Sequence, residues 1–321
     1  MAALVTDDML RMYWMHAFPI VDIAETQFVG KLSRHVFSAD LKRHFAAATP
    51  DDVRRALSGT GSGGGLPAHR FDTGPICKFD YSIIIERRNV NNDITAMPSK
   101  EDTLGREFVV DVDNTDYTEY RTLCGCGSDK DKMCNRCWGI LVAGVHLTVT
   151  RLSRRFGFAC LPVFSGGRGF HIRLHFPRRI ATWCPETMAD SLRKCVIERL
   201  AEIPEGGDGL PEHGIQGMPP VTVPVVDIPA STAVRRLIRC PFSPHAGRPE
   251  HRIATPLQWD AMRGLPADES ASFDTFIRNR IPSVAELYDP DLEVRKHASR
   301  KFQAGVEAMR EHYRDAAAET V

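Results

Sequence analysis

Glu107-Phe108-Val109-Val110-Asp111-Val112-Asp113 is the stretch on which the reading of this chain turns. Its β-branched and aromatic residues predict a strand. Side chains alternate along a strand, so Asp111 and Asp113 share one face while Val110 and Val112 enter the other. Two strand positions span roughly 6.6 Å. The carboxylates can therefore converge on one divalent cation, or on a pair about 3.5 to 4 Å apart. Magnesium or manganese suits such oxygen donors. The competing reading is a turn, because Asp113 opens Asp113-Asn114-Thr115-Asp116 and such residues commonly cap turns. That leaves Asp111 unexplained, and two like charges on an apolar strand cost solvation unless a cation compensates. A metal site is the expectation, although a D-x-D pair alone names no reaction.

Outward from this strand, the segments beginning at Phe79 (FDYSIII), Leu161 (LPVF), Phe170 (FHIRLHF) and Val221 (VTVPVVDI) have the same composition and are bounded by Gly, Pro or Asn. At least five strands are expected. Helical spacing intervenes at about 138–156 and 186–202, which gives a mixed α/β layer arrangement. Upstream, Met9, Met12, Tyr13 and Phe18 are spaced for a helix, and two short segments ending near Phe45 complete an all-helical start. SGTGSGGGLP at 58–67 reads as a surface loop inside a domain. After Pro282, the positions Val294, Ala298, Phe302, Val306, Met309 and Tyr313 predict an amphipathic helix over 283–318. Its apolar stripe either covers the sheet or binds a partner.

With 321 residues, 43% hydrophobic and 26% charged, the chain has the make-up of a globular protein and is long enough for one domain over 1–321 with an insertion or for two intimately packed lobes. Lys plus Arg equals Asp plus Glu at 41 each, so any nucleic-acid site must be a local concentration of charge. Asp7 and Asp8 stand where a signal peptide needs basic residues, and no apolar run reaches membrane-spanning length. A soluble, intracellular protein with no membrane partner is expected.

Of nine cysteines, Cys124, Cys126, Cys134 and Cys137 crowd together. The C-x-C and C-x2-C pairs suit a closed tetrahedral zinc site that folds an insertion at 122–138. Free thiols or disulfides are the alternative. Further on, Ser165-Gly166-Gly167-Arg168-Gly169 joins two strands. Glycines let backbone N–H groups approach an anion, Arg168 offers a cationic fork, and His171 can donate to phosphate oxygen. An ordinary hairpin turn explains the glycines equally well. Asp227 follows an apolar strand, and Arg235, Arg236, Arg239 and His245 lie beyond it. The three arginines form either one basic helix face or a solvated surface helix.

In this order, the motifs resemble those of the small catalytic subunit of DNA primases in the archaeo-eukaryotic primase superfamily. The resemblance rests on Asp111-Val112-Asp113 with Thr115-Asp116-Tyr117, on Cys137-Trp138 closing the cysteine cluster, on Ser165 through His171, and on Asp227 leading to LIRCPFSPH at His245. It spans 106–247, with MYWMHAFP, Arg34, Arg43 and Lys78-Phe79-Asp80 as weaker upstream matches. Gly167 departs from the pattern, since many eukaryotic members have arginine there. The interval from His171 to Asp227 is also short for a eukaryotic member.

The resemblance implies a primase catalytic fold, with mixed β-sheets flanked by helices and an inserted zinc module. It implies that Asp111, Asp113 and Asp227 hold catalytic Mg²⁺ or Mn²⁺, and that Ser165, Arg168, His171, Arg239 and His245 bind the incoming triphosphate. Asp80 would lie near the ribose, with Arg34 and Arg43 as further nucleotide contacts, and Zn²⁺ would be structural. The implied activity is RNA-primer synthesis on single-stranded DNA from ribonucleoside triphosphates by two-metal nucleotidyl transfer. An iron–sulfur large subunit is the implied partner, joined in eukaryotes by the replicative polymerase alpha complex. The implied location is the nucleus of a eukaryote, or the cytoplasm and nucleoid of an archaeon. Two other functions fit parts of the sequence: a related polymerase of repair or damage bypass, and a zinc-dependent nucleic-acid-binding module without catalysis. The second leaves three carboxylates without a role.

Overall fold

The computed structural model describes residues 4–26, 37–39, 43–45, 47, 49–59, 79–82, 86–87, 103–104, 107–113, 133–175, 186–202, 226, 237–245, 250–258, 265, 268–269 and 272–318. In chain order the elements are α1 (Asp7–Met12), α2 (Ile20–Thr26), β1 (Phe37–Ala39), β2 (Arg43–Phe45), α3 (Pro50–Ser58), β3 (Phe79–Ser82), β4 (Glu86–Arg87), β5 (Thr103–Leu104) and β6 (Glu107–Asp113). There follow α4 (Asn135–Phe156), β7 (Leu161–Phe164), β8 (Gly169–His175), α5 (Glu186–Ala201), β9 (Leu237–Arg239), β10 (Thr255–Pro256), α6 (Phe273–Arg280), α7 (Val284–Leu287) and α8 (Leu292–Ala318).

One sheet has the order β2-β1-β3-β9 and a second the order β10-β7-β8-β6, while β4 and β5 form a separate ribbon. Every pairing among these strands is antiparallel, where mixed sheets were expected. The alternation of β6 and β8 makes the second sheet a wall between two hydrophobic clusters. Phe108, Val110, Val112, Phe164, Phe170, Ile172 and Leu174 pack with Trp138, Leu141 and Val145 of α4, Val196 and Leu200 of α5, and Phe276 of α6. Val109, Leu161 and Val163 join a cluster with Tyr13, Trp14, Ile20 and Ile23 from the N-terminal helices and with Phe302, Val306 and Met309 of α8.

Among the described residues, the expected all-helical start holds through Thr26 and fails at 37–39 and 43–45. A π-helical turn at Tyr13–Ala17 bends α1 toward α2. The segments ending near Phe45 are strands, with Phe37 opposite Phe45 in register. Three-residue strands are too short to show a period of two, and pairing with β3 decides their conformation. At the other end, the helix expected over 283–318 is two helices. A Ser283/Glu286 capping box starts α7, and after a turn Asp291 Oδ1 accepts the N–H groups of Glu293 and Val294 to start α8.

Basic side chains, Lys301 and Arg151 buried among them, hold the helix ends. Lys301 of α8 donates to the carbonyls of Arg278 (3.2 Å) and Ile281 (2.9 Å) and to Glu286 Oε2 (3.0 Å), so its three donors serve the end of α6 and the cap of α7. Arg151 and Arg155 of α4 donate to the carbonyls of Leu200 and Arg199 at the end of α5. These are the terminal groups that a helix cannot satisfy internally, and a cation is favoured there.

Candidate active site

The polar face of the second sheet places the predicted carboxylates side by side. Asp111 lies opposite His171 and Asp113 opposite Gly169 in the β6–β8 register. His171 Nε2 is 3.9 Å from Asp111 Oδ1, and Arg168 Nε is 3.8 Å from Asp113 Oδ1. Both separations lie in the ion-pair range and exceed hydrogen-bond length. Each carboxylate thus faces a basic side chain close to the β7–β8 turn. The Asp111 side chain is 20% exposed and that of Asp113 29%, so solutes can reach them.

The turn is organised by Ser165. Its Oγ accepts the N–H groups of Gly167 (3.4 Å) and Gly169 (3.3 Å), and its own N–H donates to the carbonyl of Gly169 (2.9 Å). Gly166 has φ 82, a left-handed value that favours glycine. A Cβ on Gly169 would stand 3.0 Å from the Val112 carbonyl, so glycine lets the turn lie directly against the end of β6. The ordinary-hairpin reading thus accounts for Gly166 and Gly169, but not for Gly167. There a Cβ would meet His245 Nε2 at 2.8 Å. The imidazole of His245 therefore occupies the place where a side chain at position 167 would begin.

A hairpin-like segment brings His245 to that place. Phe242 N–H donates to the Ala254 carbonyl (2.6 Å), Ala254 N–H to Ser243 (2.9 Å) and His245 N–H to Arg252 (2.8 Å). The segment leaves the first sheet at β9 and joins the second at β10, stitching the two together. Phe242 takes φ 66, rare for a bulky residue. Its carbonyl accepts the buried Tyr13 hydroxyl at 2.5 Å and its ring packs on Phe302 at 5.1 Å. Burial, with Tyr288 and Cys240 nearby, holds the Tyr13 hydroxyl well above its ordinary pKa of 10.0 and keeps it a donor.

Arg239 lies on strand β9, which corrects the basic helix face expected there. Its guanidinium Nη1 donates to the Ser165 carbonyl, and its register partner on β3 is Asp80. Arg43 lies on β2, which β1 separates from β3, so of the three predicted contacts in the first sheet only Asp80 and Arg239 stand on neighbouring strands. One group the sequence reading left without a role is Arg173. It is fully buried on the carboxylate face, and its Nη2 donates to the Arg239 carbonyl at 2.7 Å. Alternation with His171 already placed it on that face. Arg34, Asp227, Cys124 and Cys126 lie outside the described residues.

Cys134 is the N-cap of α4, its Sγ accepting the Cys137 N–H at 3.5 Å, and Cys137 is buried one turn into the helix. Next to it, Trp138 donates Nε1 to the Glu269 carbonyl (2.8 Å), and the Glu269 carboxylate accepts from Asn279 and Arg280. Two sulfurs at a helix start that is anchored in this way suit a soft metal such as zinc, and the paired carboxylates suit a hard divalent ion. Among the described residues alone, no cluster of three or more His, Cys, Asp or Glu completes either donor set.

Comparison with known proteins agrees with the motifs. Residues 110–195 match the family described as DNA primase small subunit. The DNA primase small subunit of Drosophila melanogaster is 28% identical over 169 residues, 52% of this chain and 36% of that protein. That of Schizosaccharomyces pombe is 29% identical over 207 residues, 63% of this chain and 38% of the other. The chain thus spans well under half the length of these curated relatives. Among solved structures, the polymerase domain from Mycobacterium tuberculosis Ligase D in complex with DNA covers 92% of each chain at a TM-score of 0.43 and 14% identity. The resemblance to DNA primase small subunits is borne out, and the family match takes in Asp111, Asp113, Cys134, Cys137, Ser165, Arg168 and His171.

Proposed function

From this kinship with DNA primase small subunits, we propose that the chain is a nucleotidyltransferase that joins ribonucleoside triphosphates into short primers on single-stranded DNA. The observation that carries the reading is the register of β6 with β8, which sets Asp111 beside His171 and Asp113 beside the Ser165–Gly169 turn. A metal-binding edge and an anion-binding edge thereby meet on one sheet face. Asp111 and Asp113, with Asp227, would hold Mg²⁺ or Mn²⁺, which when bound supplies Lewis-acid activation of the attacking hydroxyl and charge neutralisation at the triphosphate. Arg168 and His171 lie where they can hold phosphate oxygens beside the carboxylates. Arg239 braces the turn through the Ser165 carbonyl. His245 fills the space over Gly167 and offers its imidazole to the same anion. Cys124, Cys126, Cys134 and Cys137 would hold Zn²⁺ and order the insertion. No protein nucleophile is required.

The partners belong to the same proposal: an iron–sulfur large subunit, a replicative polymerase complex where the source is eukaryotic, and residence where chromosomal DNA is copied. The test is incubation of the purified chain with single-stranded template, ribonucleoside triphosphates and Mn²⁺ or Mg²⁺, with readout of short RNA and released pyrophosphate. Products should appear without a primer and fall at least about a hundredfold in Asp111→Ala and Asp113→Ala. Template binding without pyrophosphate release would favour the non-catalytic module. Extension of a supplied primer with deoxynucleotides alone would favour the repair-type polymerase.

A further inference from the structure

We propose that Arg173 is a positioning residue for the triphosphate side of the site and that it acts through Arg239, an inference that rests on the nucleotidyl-transfer reading above. Arg173 is fully buried, with Val109 of β6 and Leu161 of β7 as its register partners. At such a place packing alone is served by an aliphatic side chain like those two neighbours. A guanidinium cannot shed its charge, and withdrawing it from water is costly unless its donors are matched. The position therefore carries a cation for something that packing does not need.

Its partner indicates what that is. Arg173 reaches from the second sheet to the backbone of the first, where Nη2 donates to the Arg239 carbonyl at 2.7 Å. Arg239 reaches in the opposite direction, its side chain donating to the Ser165 carbonyl in the second sheet's turn. The two arginines form reciprocal ties, each fixing the backbone from which the next group of the site projects. The first tie holds the strand end that bears the Arg239 guanidinium, on the residue paired in register with Asp80. The second holds the turn that bears Arg168 and runs on into His171. Arg173 lies two positions from His171 on the same strand face, so one strand carries both an anion-binding side chain and the brace that sets a second one.

A residue that acts only through Arg239 has a specific thermodynamic signature. The chain and its Arg173→Lys, Arg239→Lys and doubly substituted forms are titrated with ATP in the presence of Mn²⁺ by calorimetry, and each is melted without ligand. Arg173→Lys should weaken binding about fivefold and Arg239→Lys about tenfold, with the double substitution no weaker than Arg239→Lys alone, because neighbours in one network are not additive. Additive losses, near fiftyfold in the double form, or wild-type affinity in Arg173→Lys, would overturn the proposal. Steady-state kinetics gives a second readout that tolerates partial misfolding, since KM does not depend on the fraction of protein folded. Arg173→Lys should raise KM for ATP more than it lowers kcat, and a fall in kcat at unchanged KM would assign Arg173 to stability only. If the wild-type chain neither binds ATP nor releases pyrophosphate, the nucleotidyl-transfer reading falls and takes this proposal with it. If it does both while Arg173→Lys matches it, only the proposal falls.

Discussion

The two faces of the β6–β8 pair are made from the same two strands and are both largely buried, yet they are built for different ends. One presents Phe108, Val110, Val112, Phe170, Ile172 and Leu174 to helices and carries no charge. The other presents Val109, Asp111, Asp113, His171 and Arg173, and only Val109 among them joins a hydrophobic cluster. The apolar face needs only volume and shape. The opposite face holds part-buried charged groups in place by register, at a solvation cost that packing alone does not require. A single strand alternation thus separates the packed face from the face proposed to bind metal and nucleotide, and substitutions on the two sides should separate in the same way.

The largest effect is expected on the apolar side. Phe170→Ala removes a ring packed on Trp138, Phe164 and Phe276 and should cost about 3 to 5 kcal/mol in denaturant unfolding. A cost below about 1 kcal/mol would break the comparison. Next comes the start of α4, which abuts this face. Serine caps a helix at least as well as cysteine does, so Cys134→Ser preserves the cap and removes the thiolate. A drop in Tm of more than about 5 °C would mark Cys134 as a metal ligand, whereas an unchanged Tm would reduce it to a cap.

On the polar side, Gly167→Ala should leave folding intact, because its Cβ meets the His245 ring closely but Ser165 Oγ only at ordinary contact distance, and the Gly167 backbone needs no left-handed φ. Displacing that ring should weaken ATP binding about tenfold, roughly 1.4 kcal/mol. Unaltered affinity would remove His245 from the site. The smallest effect is Tyr13→Phe, which deletes the bond to the Phe242 carbonyl at a cost of about 1 kcal/mol near neutral pH. Since the folded-state pKa of Tyr13 is raised above its unfolded value of 10.0, its contribution is complete below that pH and is lost as pH rises through it. Wild type should therefore lose stability above pH 10 more steeply than Tyr13→Phe does, as urea titrations at pH 9 and 11 would report.

Much of this comparison was legible in the sequence, because β6, β8 and α8 are long enough for their periods to show. Asp111, Asp113 and His171 follow from alternation alone. The remainder depends on contacts distant in sequence. Arg239 reads as helical because its neighbours are arginines at helical spacing, and only pairing with β3 makes it a strand. The left-handed Phe242 has no local signal, since its conformation is held by Ala254, Tyr13 and Phe302. Gly167 reads as an absent contact until His245 is seen above it, and Arg173 reads as one more basic residue until Arg239 is placed beyond it.

The division into two clusters also orders the protein's birth on the ribosome. The helix-side cluster is drawn from residues between Phe108 and Ile281, whereas the other begins at Leu10 and cannot close until Tyr313 has been synthesised. A nascent chain can therefore condense its middle around α4 while the N-terminal helices, packed with α3, still await α8.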